Sequence, residues 1–203
     1  MSNFRSIFLE NHIDKIIGKN VLELSAGDGM VSVNIAELNP QRYVISDNDT
    51  EMLSFNPLIK NNEVLLLDIL NMPDLSEYQF DTIITCGYLY HTAHPLWAIE
   101  QILKNKPNWF YIETFLFEEK NYCRMLDEHL GMRGMHTKYH GAIPKNLHLP
   151  KHIIIEATES LGYRLIDEIR NDNKPDDFYK DYNQNFSLSF WKTSTGLWFE
   201  KND

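Results

Sequence analysis

A run of small residues follows an acidic residue early in the chain, and a second acid lies further along. The run is 25–29, the first acid is Glu23 and the second is Asp47. Glycines let a backbone approach a ligand closely, and a carboxylate at such a position can accept the hydroxyls of a ribose. A buried carboxylate is costly unless it is paired, so Glu23 needs a polar partner or a ligand. Together these residues indicate a site for a nucleoside-containing cofactor.

Two other interpretations of the same residues stay open at this point. A glycine-bearing turn between a strand and a helix can be a tight turn and nothing more. Gly27, Gly29 and Ser32 also approximate the G-x-G-x-x-G/A pattern, which would indicate a dinucleotide such as NAD. Residues further along the chain distinguish these interpretations.

The predicted elements around this run show how its residues are positioned. Apolar runs alternate with amphipathic segments, which is typical of parallel strands covered by helices on both faces. The strands are predicted at 21–24, 43–46, 64–67, 80–85, 109–114, 163–169 and 185–192, and the helices at 2–18, 30–38, 50–55, 95–103 and 151–161. Ligands of doubly wound α/β sheets bind beyond the carboxyl ends of the strands, where the glycine run and Asp47 fall.

The segment 116–150 breaks this alternation. It has a predicted helix near 118–130 and then a turn-rich stretch with several glycines and prolines. We interpret it as a lid or substrate-covering insertion between the fifth strand and the following helix, within a single domain that spans 1–203.

Basic and histidine residues are concentrated in 133–152, which contains no Asp or Glu. Such a local bias would attract an anionic substrate, with Arg133, His136 and Tyr139 as candidate contacts, or would pair with acids elsewhere in the chain. His136 and His140 are four residues apart, which is a spacing that can hold a metal on a helix. Glycines flank the pair and no HExxH pattern is present, so no metal is predicted.

Composition limits the classes of function. The chain has 203 residues, and 29 acidic against 19 basic side chains give a formal charge of −10, which disfavours nonspecific attraction to nucleic acid. Cys86 and Cys123 have no paired spacing, so a reducing cytoplasm is expected rather than a disulfide scaffold. No stretch approaches the roughly 18 consecutive apolar residues of a membrane span, so we expect a soluble protein without a membrane partner.

Four regions, in order, resemble the motifs of class I S-adenosylmethionine-dependent methyltransferases. Residues 23–29 are similar to the first motif, [DE]-x-G-x-G-x-G, with Ser25 in place of the first glycine. Residues 47–53 are similar to the second motif, and residues 66–69 are similar to the third. Residues 80–96, FDTIITCGYLYHTAHPL, are similar to the fourth region in one branch of the family. Within them, Leu-Tyr-His-x-x-x-Pro-Leu resembles the enzymes that alkylate the tRNA wobble uridine. The resemblance covers residues 20–114 well.

The resemblance implies a Rossmann-like α/β sheet of seven strands in the order 3-2-1-4-5-7-6, with strand 7 antiparallel. It implies S-adenosylmethionine as the cofactor and S-adenosylhomocysteine as the product. Asp47 would hold the ribose hydroxyls, Asp68 with Ile69 would contact adenine, and Glu23 would lie near the methionine end. The implied cofactor residues are Glu23, Ser25, Ala26, Gly27, Gly29, Asp47, Asn48, Asp68, Ile69, Cys86 and Gly87.

The methyl acceptor is expected at the loop after the fourth strand. His91 is the first candidate base, because an imidazole with a pKa of about 6.5 can accept a proton at neutral pH; a structural histidine is the alternative. Further catalytic candidates are Tyr90 and Glu113, and the loop's candidate substrate contacts are Tyr88 and His94. The Asn/Asp-Pro-Pro-Tyr and Pro-Cys signatures of base-modifying enzymes are absent, which favours transfer to O or N of a small molecule, an anionic one included.

Three other functions remain as alternatives. The Ser25 departure from the family motif is compatible with a nonenzymatic S-adenosylmethionine-binding partner or regulatory module. The Leu-Tyr-His stretch favours tRNA modification, which the net charge opposes. A nicotinamide oxidoreductase comes last, because it leaves Asp68 and residues 88–95 unexplained.

Overall fold

Strands and helices alternate along most of the chain, as the apolar runs predict. The computed structural model describes residues 4–116, 124–127, 145–170 and 194–202. The strands within these residues are β1 Asn20–Leu24, β2 Arg42–Asp47, β3 Glu63–Leu66, β4 Thr82–Cys86, β5 Trp109–Phe115, β6 Arg124–Asp127, β7 Lys145–His148, β8 Tyr163–Arg170 and β9 Ser194–Lys201. The α-helices are α1 Phe4–Asn11, α2 Ser32–Glu37, α3 Thr50–Phe55, α4 Pro95–Leu103 and α5 Lys151–Ser160. Short 3-10 turns occupy Ile13–Lys15, Ile69–Asn71, Ser76–Tyr78 and Leu89–His91.

Seven of these strands form one mixed sheet in the order β3-β2-β1-β4-β5-β9-β8. β1 pairs in parallel with β2 and β4, β2 with β3, and β4 with β5. β9 runs antiparallel between β5 and β8. With the strands of this sheet counted in chain order, the predicted order 3-2-1-4-5-7-6 and its antiparallel last strand are confirmed.

Helices cover both faces of the sheet. Successive strand residues point to opposite faces, and apolar residues on both faces need to be covered. Val21 packs into one core with Phe8 of α1 and Ile35 of α2. Leu22, the next residue of β1, packs into the other core with Ile99 of α4 and Ile154 of α5. No helix in the described part of the chain is long and apolar enough to cross a membrane.

The position of the last strand differs from the prediction. β9 is Ser194–Lys201, whereas the predicted strand at 185–192 lies outside the described residues. The first six residues of β9 are all buried, since this strand has sheet neighbours on both sides and a core on both faces. Such a strand does not alternate between apolar and polar residues, and alternation was the pattern that favoured 185–192.

The insertion after β5 also differs from the prediction where the structure describes it. The predicted helix at 118–130 is wrong at 124–127, which form β6 and pair antiparallel with β7 of the same insertion. A helical pattern depends on local spacing, whereas this hairpin depends on a partner about twenty residues further along the chain. The rest of 117–144 lies outside the described residues, so the lid and the single domain stay predictions.

Candidate functional site

The loop after β1 is tied by its backbone to the end of β2. The Ala26 N–H donates to the carbonyl oxygen of Ser46 at 3.0 Å, and the Gly27 N–H donates to Oδ2 of Asp47 at 2.9 Å. Ser25 has a φ of +55°, in the left-handed region that favours glycine. This is the position where the family motif has its first glycine, so the departure at Ser25 costs backbone free energy.

Asp47, the last residue of β2, is held from two sides. Its Oδ2 accepts from Gly27, and its Oδ1 accepts from the Asp49 N–H at 2.9 Å. Burial raises the pKa of Asp47, and backbone hydrogen bonds, including one from half-buried Asn48, act against that rise. The loop after β1 and the turn into α3 therefore set the direction of this carboxylate. In that turn, Asp49 caps the first backbone N–H groups of α3.

Glu23 lies in the sheet below this loop and is 2% exposed. Its Oε2 accepts from Ser32 Oγ at 2.6 Å and from the Tyr43 hydroxyl. Asn56 Nδ2 donates to the same Ser32 Oγ at 2.9 Å. Burial raises the pKa of Glu23 to about 7, although both hydroxyl donors lower it. The partners that a buried carboxylate needs are thus supplied by the protein.

Asp68 and Ile69 follow β3. Asp68 Oδ1 accepts from the Leu70 N–H at 3.0 Å and Oδ2 accepts from Asn71 Nδ2 at 2.7 Å, so its carboxylate is fixed at the start of a 3-10 turn. Ile69 is 3% exposed. Burial, together with the nearby charges of Asp68 and Asp47, raises the pKa of Tyr88 well above its usual value. The Tyr88 hydroxyl therefore stays protonated at neutral pH and lies within electrostatic reach of the Asp47 and Asp68 carboxylates.

The chain leaves β4 through Cys86 and Gly87. Gly87 has a φ of +80°, and its N–H donates to the Glu113 carbonyl oxygen at 2.9 Å. A Cβ at Gly87 would lie 3.4 Å from the hydroxyl oxygen of Tyr90, so this hydroxyl is directly over the bare backbone. Cys86 is half-buried and packs against the core that contains α1 and α2. β4 thus ends at a glycine whose backbone lies under the Tyr90 hydroxyl.

Four rings meet beyond this point, with Tyr90 in the middle. Its ring centroid is 4.1 Å from that of His91, 4.6 Å from Phe115 and 5.7 Å from His148. His148 is 2% exposed and belongs to β7, and Phe115 ends β5. The loop after β4, the end of β5 and the insertion hairpin are therefore packed together around Tyr90, next to the predicted base His91.

The remaining predicted residues are placed differently. Glu113 is fully buried in β5 and accepts a hydrogen bond from Ser194 Oγ in β9. His94 is exposed at the start of α4, and its N–H donates to Thr92 Oγ1 at 3.0 Å. Arg133, His136 and Tyr139 lie outside the described residues, as does the histidine pair considered for a metal. Among the described residues no group of three or more His, Cys, Asp or Glu could hold a metal ion.

Several residues of the site were not assigned a role from the sequence, although Ser32 was noted as part of the dinucleotide-like pattern. Ser32, Tyr43 and Asn56 reach Glu23 or its partner, and His148 and Ser194 reach Tyr90 and Glu113. Their signal is the pairing register and not the local sequence: Val21 of β1 faces Tyr43, which places Tyr43 diagonally from Glu23. Such a diagonal is visible only once the register of the strands is known.

Solved structures that superpose on this chain include methyltransferases. The chain superposes on the 1,6-didemethyltoxoflavin N1-methyltransferase of Burkholderia thailandensis, solved with S-adenosylhomocysteine, with a TM-score of 0.66 and 14% identity over 98% of this chain and 77% of that chain. It superposes on the magnesium protoporphyrin IX methyltransferase of Synechocystis PCC 6803, solved with S-adenosylmethionine, with a TM-score of 0.64 and 11% identity over 100% and 86% of the two chains. The fold is the Rossmann-like fold of S-adenosylmethionine-dependent methyltransferases.

Sequence similarity to curated proteins is more limited. The chain is 28% identical over 110 residues to a tRNA U34 carboxymethyltransferase of Campylobacter fetus. That match covers 49% of this chain and 38% of the relative, so the chain spans well under half of the relative's length. No family model matches the chain.

Proposed function

We propose that this chain is an S-adenosylmethionine-dependent methyltransferase that transfers the methyl group to an oxygen or nitrogen atom of a small molecule, anionic molecules included. One observation carries the assignment: the glycine loop is bound through the Gly27 N–H to the Asp47 carboxylate, at the carboxyl edge of a methyltransferase-type sheet. That carboxylate stands where the ribose of the cofactor is expected.

The residues at this edge fit the cofactor by their chemistry. Asp47 would accept the ribose hydroxyls, while Asp68 and Ile69 would contact adenine. The positive-φ glycines Gly27 and Gly87 present backbone without a side chain. Within 4 Å of a Cβ at Gly27, the described residues other than its chain neighbours place one heavy atom, Met52 Cε at 3.9 Å. S-adenosylmethionine, when bound, supplies an electrophilic methyl group on its sulfonium sulfur. An in-line displacement would transfer this methyl group, with the thioether sulfur as the leaving group.

The protein's contribution to such a transfer is mainly alignment, which can be worth about 7–11 kcal/mol in favourable cases. The ring cluster around Tyr90 fixes the loop after β4, where the acceptor would enter. His91, half-buried in that loop, is the proposed base for an acceptor that must lose a proton. Tyr88 does not take this role, because its raised pKa keeps the phenol protonated.

Modification of tRNA is the second candidate, favoured by the similarity to the Campylobacter fetus protein, whose name specifies tRNA U34. The charge of −10 opposes it, because binding of tRNA releases counterions through basic contacts. The two candidates differ in their salt dependence. Binding of tRNA that weakens steeply between 50 and 200 mM salt, on the order of the values for phosphate-binding proteins, would favour tRNA as the substrate.

Calorimetric titration with S-adenosylmethionine, and separately with NAD, tests the assignment. We expect saturable binding of S-adenosylmethionine, no binding of NAD, and a loss of affinity of at least about tenfold in Asp47→Asn, since a ribose hydrogen bond to a charged group is worth about 1.5–3 kcal/mol. Asp74→Asn is the matched control, because Asp74 is an exposed acid beside Lys104 and Lys106, outside the site.

Two outcomes of that titration would count against the assignment. Failure of the wild-type protein to bind S-adenosylmethionine would show that the isolated chain does not use this cofactor. Equal affinities of the wild-type protein and Asp47→Asn would show that the cofactor binds elsewhere. Binding without turnover on any acceptor would instead favour the nonenzymatic binding module.

A further inference from the structure

Building on the proposed function, we infer that Glu23 is a positioning residue and not a cofactor contact. With Ser32, Tyr43 and Asn56, Glu23 forms a buried latch. This latch holds the glycine loop in its binding conformation only when Glu23 is ionised. The latch is defined as these four side chains. It joins β1, the first residue of α2, β2 and the residue after α3.

The hydrogen bonds of the latch converge on one atom. Ser32 Oγ and the Tyr43 hydroxyl both donate to Oε2 of Glu23, and Asn56 Nδ2 donates to Ser32 Oγ. Ser32 and Asn56 are 0% and 2% exposed, so water does not compete for these bonds. Hydrogen bonds to a carboxylate are roughly twice as strong as those to a neutral carboxyl group, so the latch weakens when Glu23 takes up a proton.

The latch acts on the loop at two points. Ser32 follows directly on residues 25–31, so its bond to Glu23 fixes where α2 begins. Asn56 also packs against Gly29: a Cβ there would lie 2.6 Å from the Asn56 side chain. The opposite side of the loop is held by Asp47 through Gly27. Loosening Ser32 and Asn56 therefore frees the α2 side of the loop while the Asp47 side remains bound.

Ionisation of Glu23 falls in an accessible pH range. Burial, with a smaller contribution from the charge of Asp47, raises its pKa to about 7 against the lowering effect of the two hydroxyl donors. The other titratable groups facing the latch are Tyr43 itself, whose pKa burial and Glu23 raise well above its usual value, and Cys86 at the end of β4. The raised pKa keeps the Tyr43 hydroxyl protonated near neutral pH, so Glu23 is the group of the latch that changes charge.

The experiment measures the affinity for S-adenosylmethionine and for S-adenosylhomocysteine from pH 5.5 to 8.5 by calorimetry. We expect the wild-type affinity for both ligands to fall about tenfold below neutral pH, as two charge-assisted hydrogen bonds weaken. Glu23→Gln keeps the acceptor oxygen without the charge, so its affinity should be low and flat across this range. Glu37→Gln, an exposed change at the end of α2, is the matched control and should behave as wild type.

Two further readouts test the ionisation of Glu23 and its distance from the sulfonium. Tyr43→Phe removes one donor that lowers the pKa of Glu23, so the midpoint of the wild-type pH profile should move to higher pH. A steeper pH dependence for S-adenosylmethionine than for S-adenosylhomocysteine would overturn the inference, because only direct contact with the sulfonium charge distinguishes the two ligands. Glu23→Gln with wild-type affinity at pH 8.5 would also overturn it.

The stability of the ligand-free protein gives an internal check on these variants. The raised pKa means that ionised Glu23 destabilises the fold, so wild type should lose stability relative to Glu23→Gln as pH rises from about 4.5 to about 7, and not beyond. A Glu23→Gln protein that is more stable at pH 8 yet binds more weakly cannot be explained by misfolding. If the wild-type protein binds neither ligand at any pH, the proposed function fails instead, while this stability profile still reports on the latch.

Discussion

Ser25 occupies a backbone conformation that a glycine adopts more readily. Its φ of +55° costs an L-residue about 1–2 kcal/mol, and no hydrogen bond of its side chain to the described residues offsets this cost. Ser25→Gly should therefore raise the free energy of unfolding by about 0.5–1 kcal/mol, after about 0.4–1 kcal/mol is lost to the greater freedom of the unfolded chain. Chemical denaturation measures this difference.

Ser25→Ala is the matched control for that change. Alanine keeps the Cβ and removes the hydroxyl, so it should leave the free energy of unfolding unchanged or slightly lower. Equal gains in Ser25→Gly and Ser25→Ala would show that the hydroxyl, and not the backbone, is the source of the cost.

At this scale the sequence identifies an acid that needs hydrogen-bond partners but not the residues that supply them. The motif predicts that Glu23 is buried and needs a partner, and both are seen. Its partners come from β2 and α2, positions that only the strand register brings together. The same is true of Glu113, whose partner Ser194 lies 81 residues away along the chain. A local pattern identifies a costly side chain, whereas the residues that stabilise it are nonlocal.

Among the elements, the packing of the glycine loop against the residue after α3 gives a sharp test. Gly29 has a φ of +88°, and a Cβ would lie 2.6 Å from the Asn56 side chain, which hydrogen bonds to Ser32 and Leu58 hold in place. Gly29→Ala should therefore lower the free energy of unfolding by about 3 kcal/mol, the sum of backbone cost and overpacking. It should also weaken cofactor binding.

Gly162→Ala separates the two contributions. Gly162 has nearly the same φ, +89°, but a Cβ there meets nothing within 4 Å. This variant should lose only about 1–2 kcal/mol, measured by the same denaturation. Equal losses in the two variants would contradict the close packing of Gly29 against Asn56.

Elements with local signals were predicted more closely than those that depend on distant partners. α3 and α4 begin and end where the sequence predicts them, since Asp49 caps the first and Pro95 opens the second. The hairpin of β6 and β7 was missed, and the last strand was placed too early. Both errors concern strands that are stabilised by pairing with residues far along the chain.

For the whole molecule, the sheet order brings the acids of separate motifs to one edge. Glu23, Asp47 and Asp68 belong to three segments of the chain, and the parallel pairing of β1, β2 and β3 places their strand ends side by side. The alternation of apolar runs predicts parallel strands with crossover helices, whose ends share one edge. The order that makes these three strands neighbours is what the family resemblance implies. The strand pattern does not identify the acceptor, because such a pattern specifies the sheet and not the loops at its edge.

The measurement that tests the central assignment most directly is a crystal structure of the protein grown with S-adenosylhomocysteine. We expect the ligand across the carboxyl ends of β1, β2 and β4, with its ribose hydroxyls on the Asp47 carboxylate and no contact to Glu23. A ligand bound at any other face of the sheet, or bound at this edge without a contact to Asp47, would contradict the assignment of this edge as the cofactor site.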